Sequence, residues 1–105
     1  MQIRELSLKE LDLAYEMVQR EYADLSYDDF EDLIYEMQRE EYKMVAALER
    51  GKIVGYMGLK IKTDLRHKRH LRVCEFICDE SVKDELEEYL SDYARIALCK
   101  EILRA

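Results

Sequence analysis

A chain of 105 residues with a net charge of −7 and an apolar fraction of 49% fits one globular domain. The negative charge disfavours binding to nucleic acid and to anionic membrane surfaces. No apolar run approaches the roughly 20 residues of a membrane-spanning helix, and the start of the chain, MQIRELSLKE, lacks the apolar core of a signal peptide. The three cysteines lack a secreted-domain spacing, which predicts reduced thiols in a cytoplasmic protein.

The first part of the chain predicts a short strand followed by two helices. Residues 2–6 favour the strand, and Ser7 then begins a Ser-x-x-Glu capping box. Apolar residues follow at spacings of three and four, which predicts a first helix over about 8–22. Ser26 begins a second helix over about 27–40, with acidic residues in its first turn, where the helix dipole favours them. We expect both apolar stripes to pack in the core. Their positions are Leu8, Leu11, Tyr15, Val18, Tyr22, Phe30, Leu33, Ile34 and Met37.

Three strands are predicted next. The segment YKMVAALERGKIVGYMGLKIK has a turn at 49–52 between two apolar runs, which indicates a hairpin with strands over about 42–49 and 53–63. A polar connection over 64–70 precedes a third apolar run over 71–78. Alternation is weak in these runs, which favours a sheet covered on both faces.

The last predicted elements are a helix and a possible further strand. Ser81 is expected to cap a third helix over about 82–99, and residues 101–105 favour a strand. The order β-α-α-β-β-β-α-(β) indicates an α/β domain with one central mixed, mostly antiparallel sheet.

In this order of elements the chain resembles the GNAT superfamily of N-acetyltransferases. The segment GKIVGYMGLKI (51–61) is similar to the family's third-strand segment, and HLRVCEFICDE (70–80) is similar to its fourth strand. The resemblance covers 1–105. It implies a single GNAT-like domain that lacks the family's last helix and strands.

The resemblance implies a function as well as a fold. Members of the family transfer the acetyl group of acetyl-CoA to an amine, and a carboxylate on the fourth strand often removes the amine proton through water. Glu75 occupies the position of that carboxylate, and we expect it to share an apolar strand face with Val73 and Ile77, which would raise its pKa. The alternative is a strand glutamate that pairs with a nearby basic side chain. The acceptor amine is not indicated.

The resemblance also places the acetyl-CoA molecule. It implies contacts of the pantetheine arm along 76–79 and a pyrophosphate site where the third helix begins. The implied cofactor-binding residues are Phe76, Ile77, Cys78, Asp79 and Lys83.

The implied pyrophosphate site departs from the family pattern, however. No glycine follows Gly58, and carboxylates such as Asp84 and Glu85 begin the helix. Each like charge costs a diphosphate on the order of a kcal/mol near the surface. We therefore predict impaired acetyl-CoA binding. The alternative function is a non-catalytic GNAT-fold interaction or regulatory module.

A basic segment stands out against the acidic chain. Residues 60–72 hold six basic and one acidic side chain, a net charge of +5, whereas the other residues hold 11 basic and 23 acidic ones, a net charge of −12. One interpretation is a solvated hairpin tip. The other is a contact for an acidic protein partner, including the acidic face of a second copy. Nucleic acid is disfavoured because no aromatic residue interleaves with these charges.

Two further hypotheses concern metal binding and association. His67, His70, Cys74 and Cys78 are zinc-ligand types, but the two cysteines would lie about 13 Å apart on a strand at ~3.3 Å per residue. They could not share one tetrahedral ion, so we predict no metal site. A strand at 101–105 would form a sheet edge, which favours a homodimer through this edge or through the third helix.

Overall fold

The computed structural model describes residues 1–104, which form one five-stranded sheet with helices on both faces. The strands follow one another in space in chain order, and every neighbouring pair is antiparallel except the last, which is parallel. This confirms the predicted α/β fold with a mixed, mostly antiparallel sheet. The strands are β1 Gln2–Glu5, β2 Lys43–Glu49, β3 Lys52–Asp64, β4 Lys68–Cys78 and β5 Glu101–Arg104. The helices are α1 Leu11–Val18, α2 Tyr27–Met37 and α3 Lys83–Ile96.

The sheet separates two apolar layers. Met44 and Ala46 of β2 pack with α1 and α2 on one face, whereas Val45 and Ala47 pack with α3 on the other. All four are buried, so alternation along β2 distributes apolar side chains between two cores. This explains why the strands show so little polar alternation, and it confirms that the sheet is covered on both sides. No helix of residues 1–104 has the length and apolar character needed to cross a membrane.

The capping box at the first helix is confirmed, but the helix is shorter than predicted. The Ser7 hydroxyl accepts a hydrogen bond from the Lys9 N–H, and Glu10 Oε1 accepts one from the Ser7 N–H at 3.0 Å. A single 3₁₀ turn over 8–10 precedes α1, which ends at Val18 rather than near residue 22. Tyr22 therefore lies in the following turns and is 44% exposed.

The second helix begins as predicted. The Ser26 hydroxyl accepts a hydrogen bond from the Asp29 N–H at 3.1 Å. The helix ends at Met37 and continues as one 3₁₀ turn to Glu40. Leu33, predicted as a core position, is 45% exposed.

The predicted cap of the third helix is wrong. Ser81 lies inside a 3₁₀ turn over 80–82, and the N-cap position of α3 is Val82, which offers no side-chain hydrogen bond. The helix also ends at Ile96 rather than near residue 99. The chain then turns through Leu98, whose φ of 60° is left-handed, and such a residue commonly ends a helix.

The hairpin of β3 and β4 is longer than predicted. The strands extend to Asp64 and from Lys68, so the predicted polar connection over 64–70 reduces to the turn between them. Most of the basic segment 60–72 therefore lies on paired strands.

A β-bulge interrupts β4 at the centre of the sheet. Gly58 faces Glu75 and Leu59 faces Val73, so Cys74 is the extra residue. The bulge reverses the alternation: Val73 packs in the α3 layer, whereas Ile77 packs in the layer of α1 and α2. Glu75 shares the α1–α2 face with Ile77 but not with Val73, so the expected shared face is confirmed for Ile77 and wrong for Val73.

The parallel pairing at the end of the sheet is short. β5 pairs with residues 70–73 of β4 only, and among the described residues the segment 74–78 pairs with β3 alone. We call the free side of residues 74–78 the open edge of β4. The predicted last strand is confirmed over Glu101–Arg104, and Ala105 lies outside the described residues.

Candidate active site

Glu75 forms a hydrogen-bonded cluster with two buried tyrosines. The Tyr42 hydroxyl donates to Glu75 Oε1, and the hydroxyls of Tyr42 and Tyr56 lie 2.7 Å apart. Because a phenol has one proton to donate, Tyr56 donates to Tyr42 and Tyr42 donates to Glu75. Tyr42 and Tyr56 are 2% and 0% exposed, whereas Glu75 is half-buried. We call these three residues the Tyr–Tyr–Glu cluster.

Burial governs the proton affinities in the cluster. Burial raises the pKa of Glu75, the Tyr42 hydrogen bond and the Lys60 charge act against this rise, and the Glu21 charge adds to it. Burial also raises the pKa of Tyr42 and of Tyr56, so both phenols remain protonated donors. The arrangement gives a fixed carboxylate whose pKa lies above that of an exposed glutamate.

Gly58 makes room for this cluster on the neighbouring strand. A Cβ atom at Gly58 would overlap Glu75 Oε1 and the Tyr42 hydroxyl. Any other residue at this position would therefore displace the carboxylate or the phenol.

A cavity of about 270 Å³ lies between the two N-terminal helices and the sheet, with Glu75 in its wall. We call it the Glu75 cavity. Tyr22 and Leu33 border it, and this position accounts for their exposure. The cavity is lined by Val18, Tyr22, Leu25, Phe30, Leu33, Ile34, Met37, Tyr42, Tyr56 and Glu75.

The residues implied as cofactor contacts lie around the end of β4. Phe76 and Cys78 pack on the α3 side, and Ile77 is buried on the opposite side. Asp79 follows the strand, and its N–H donates to the Val54 carbonyl at 2.9 Å. Lys83 is exposed at the first position of α3. Residues 76–78 thus form the end of β4, Asp79 comes directly after it, and Lys83 begins α3 beyond the turn. We call residues 79–83 the β4–α3 junction.

The fold brings two arginines to this region that the sequence pattern did not indicate. Arg20, just after α1, forms an ion pair with Asp79 at 2.5 Å. Arg104 of β5 lies over the Phe76 ring, 5.1 Å from its centroid, and pairs with Glu87. Lys83 is therefore not the only basic residue near the junction. Arg20 and Asp79 are 59 positions apart, and no local pattern links residues at that separation.

The four zinc-type residues are distributed over different environments. The His67 ring contacts Glu101 at 2.5 Å, and the buried His70 has Nδ1 3.0 Å from the Lys68 carbonyl. Cys74 packs toward α1 and α2, whereas Cys78 packs toward α3. Residues 1–104 contain no group of three potential metal ligands.

Some of the basic side chains of 60–72 already have partners. Lys60 pairs with Glu40 at 3.4 Å, and Arg69 donates to the Ala97 carbonyl at 2.7 Å. Lys62, Arg66 and Lys68 are exposed around the hairpin end.

Comparison with known proteins gives matches by structure only. No family model and no curated protein matches the sequence. The GNAT family acetyltransferase of Staphylococcus aureus subsp. aureus USA300_TCH1516 is similar with a TM-score of 0.81 and 14% identity, over 99% of this chain and 84% of that one. The aminoglycoside N-acetyltransferase AAC(6')-Iy, solved in complex with CoA, has a TM-score of 0.81 and 13% identity, over 99% and 75%. A transcriptional regulator from Bacillus halodurans C-125 has a TM-score of 0.77 and 14% identity, over 99% and 80%. Likeness at this level of identity establishes the fold, and the chain has the GNAT fold.

Proposed function

We propose that this chain transfers the acetyl group of acetyl-CoA to an amine, with Glu75 as the general base and with weak affinity for the CoA pyrophosphate. The observation that carries the proposal is the half-buried Glu75 carboxylate, which borders a cavity and sits on the strand that has the open edge. The same fold in an aminoglycoside N-acetyltransferase solved with CoA supports it.

The cluster supplies the proton chemistry. Acetyl-CoA provides the acyl group in activated form, as a thioester. An ammonium group in the Glu75 cavity must lose a proton before its nitrogen can attack the thioester, and Glu75 accepts that proton directly or through one water. The new N–C bond replaces the C–S bond, and CoA leaves as a thiolate that takes up a proton from solvent. The raised pKa of Glu75 makes its carboxylate a stronger base than an exposed glutamate. Tyr42 and Tyr56 fix the carboxylate in place, which reduces the entropic cost of alignment.

The residues at the end of β4 fit the pantetheine arm of acetyl-CoA better than its pyrophosphate. The open edge of β4 offers backbone N–H and C=O groups to an extended pantetheine arm along 76–79, which the resemblance implies. At the β4–α3 junction, Arg20 is already paired with Asp79, and Glu80, Asp84 and Glu85 oppose a diphosphate. This is why the proposed affinity is weak.

The second candidate is a non-catalytic interaction or regulatory module. The Arg20–Asp79 ion pair favours it, because it ties the end of β4 to the end of α1 without a ligand. The similar regulator from Bacillus halodurans also supports it. In this candidate, α3 or the β5 edge contacts a second copy, and residues 60–72 contact an acidic partner.

Binding and transfer assays separate the two candidates. We expect about 1 mM acetyl-CoA to raise the melting temperature of the wild type by several degrees. We also expect thiol release from acetyl-CoA with a panel of primary amines, reduced about 100-fold or more by Glu75→Gln. Glu49→Gln, an exposed change at the far end of β2, is the matched control. No thermal shift and no thiol release would contradict the enzyme and support the module.

A further inference from the structure

We infer that the Glu75 cavity selects a primary amine with a compact apolar body, about the size of one aromatic ring on a short chain. The inference names the acceptor class of the proposed reaction and rests on that function for its catalytic meaning. The binding itself requires only the cavity and its carboxylate.

The walls of the cavity are apolar or aromatic. Val18, Phe30 and Ile34 form buried parts of the wall, and the exposed Leu33 borders the cavity. An apolar ligand body removes this surface from water, which contributes roughly 25 cal/mol per Å² buried. A polyhydroxylated acceptor would lose hydration along the same walls and gain few partners there.

The two hydroxyl protons of the Tyr–Tyr–Glu cluster are already used within it, whereas one carboxylate oxygen is not. The Tyr56 proton is used by Tyr42, and the Tyr42 proton is used by Glu75. Glu75 Oε2 has no hydrogen bond to the residues 1–104, so the carboxylate keeps acceptor capacity for a ligand. Apart from the Tyr22 hydroxyl at the exposed border, this carboxylate oxygen is the acceptor that the lining leaves for a ligand, which fits a ligand with one donor group.

The charge of the site favours a cationic donor. Glu75 is the only charged residue in the described lining of the cavity. The Glu21 carboxylate adds negative potential, whereas Lys60 acts against it but is paired with Glu40. An ammonium group would pair with Glu75, and a neutral ligand would leave the half-buried carboxylate without a charged partner.

The volume limits the size of the ligand. At about 270 Å³ the cavity lies just below the ~300–1,000 Å³ of sites for drug-sized molecules. A single ring or short hydrocarbon chain with a terminal amine matches this space. A peptide or an oligosaccharide would extend into solvent past Tyr22 and Leu33.

The test is ligand binding without acetyl-CoA, monitored by NMR and calorimetry. The probes are phenethylamine, its neutral analogue 2-phenylethanol, and ethanolamine, which carries the charge without the apolar body. We expect phenethylamine to bind most tightly and to shift the resonances of Tyr22, Leu33 and Tyr56. We expect Glu75→Gln to weaken its binding about tenfold or more and to leave 2-phenylethanol unchanged. Glu49→Gln should bind all three probes like the wild type.

Three outcomes would overturn the inference. They are equal binding of phenethylamine to the wild type and Glu75→Gln, binding of ethanolamine as tight as that of phenethylamine, and resonance shifts away from the cavity. The result is also independent of the transfer reaction. Selective phenethylamine binding without acetyl transfer contradicts the proposed function alone, whereas transfer only to small polar amines contradicts this inference alone.

Discussion

At the scale of single residues, Glu75 combines a chemical advantage with a cost in stability. Burial disfavours its ionised form, and the Tyr42 hydroxyl and Lys60 favour it. Burial dominates, so the pKa of the folded state is raised above that of the unfolded chain. A residue of this kind is useful as a base because the fold pays in stability to keep it ionised.

This cost predicts a pH dependence. Above the raised pKa, Glu75 is ionised in both the folded and the unfolded state, but burial makes ionisation more costly in the folded state. The unfolding free energy therefore falls as the pH rises through that pKa. Glu75→Gln cannot ionise, so its unfolding free energy relative to wild type should increase with pH. Chemical denaturation from pH 4 to pH 8 measures this difference, which should be smallest below the ordinary glutamate pKa of about 4.3. A difference that stays constant with pH would show that burial does not raise this pKa.

The tyrosine pair offers a separate prediction at the same scale. Tyr42→Phe removes the donor to Glu75 and leaves the buried Tyr56 hydroxyl without an acceptor. We expect a loss of about 1–3 kcal/mol in unfolding free energy and a further rise in the pKa of Glu75. Carboxyl NMR titration measures the second effect. Tyr35→Phe, at an exposed tyrosine, is the control, and an unchanged Glu75 pKa in Tyr42→Phe would contradict the assigned hydrogen bond.

At the scale of elements, the bulge in β4 decides which side chains face the cavity. In a regular strand without the bulge, Val73 and Glu75 are two residues apart and would lie on one face. The bulge turns Val73 into the α3 layer, and Gly58 opposite leaves space for Glu75. The bulge and the glycine therefore act as one device that places a carboxylate against the α1–α2 side.

Two glycines of β3 provide a matched test of this device. A Cβ at Gly58 would overlap the Glu75 carboxylate and the Tyr42 hydroxyl, whereas a Cβ at Gly55 would meet the flexible Leu86 Cδ1 at 2.7 Å. We expect Gly58→Ala to cost about 1–3 kcal/mol or more, and Gly55→Ala to cost less. Only Gly58→Ala should also change the pKa of Glu75. If both variants changed it equally, the effect would not depend on contact with the cluster.

The sequence predicted the elements of this site better than the site itself. Hydrophobic periodicity gave every strand and helix in order, and the Ser7 capping box was found because its two partners are three residues apart. Glu75 was located by resemblance to a family strand. The sequence does not predict the bulge, because one extra residue in a run that is apolar on both faces does not change the polarity pattern. The partnerships of Tyr42 and Arg20 were missed because they join distant segments. The pattern predicts a cap at Ser81 because it does not distinguish an N-cap from a residue inside a 3₁₀ turn.

At the scale of the whole molecule, charge is unevenly distributed. The chain carries a net charge of −7, while the segment 60–72 carries +5. The exposed Glu80, Asp84 and Glu85 lie in and directly after the β4–α3 junction, where the proposed function places the CoA pyrophosphate. These carboxylates could lower acetyl-CoA affinity because they lie close to the proposed pyrophosphate position. Alternatively, the affinity would depend only on the net charge of the whole chain.

Charge reversal distinguishes these cases. Glu80→Lys with Asp84→Lys should raise acetyl-CoA affinity about tenfold or more, because each reversal removes a repulsion on the order of a kcal/mol near the surface. Glu36→Lys with Glu49→Lys gives the same change in net charge at two exposed sites away from the junction. Calorimetry at about 0.1 M salt, where the Debye length is ~10 Å, compares them. Equal gains in both double variants would show that the junction has no special role.

Ligand occupancy and oligomeric state would be linked if acetyl-CoA and a strand from a second copy both used the open edge of β4. An extended ligand along 74–78 consumes the same backbone N–H and C=O groups that a strand from a second copy would need. The two occupants exclude each other, so each lowers the apparent affinity of the other by a factor that grows with its own concentration. Acetyl-CoA would then dissociate an assembly built on this edge, and the competition would operate through main-chain groups, of which only an N–H can be removed by substitution, with proline.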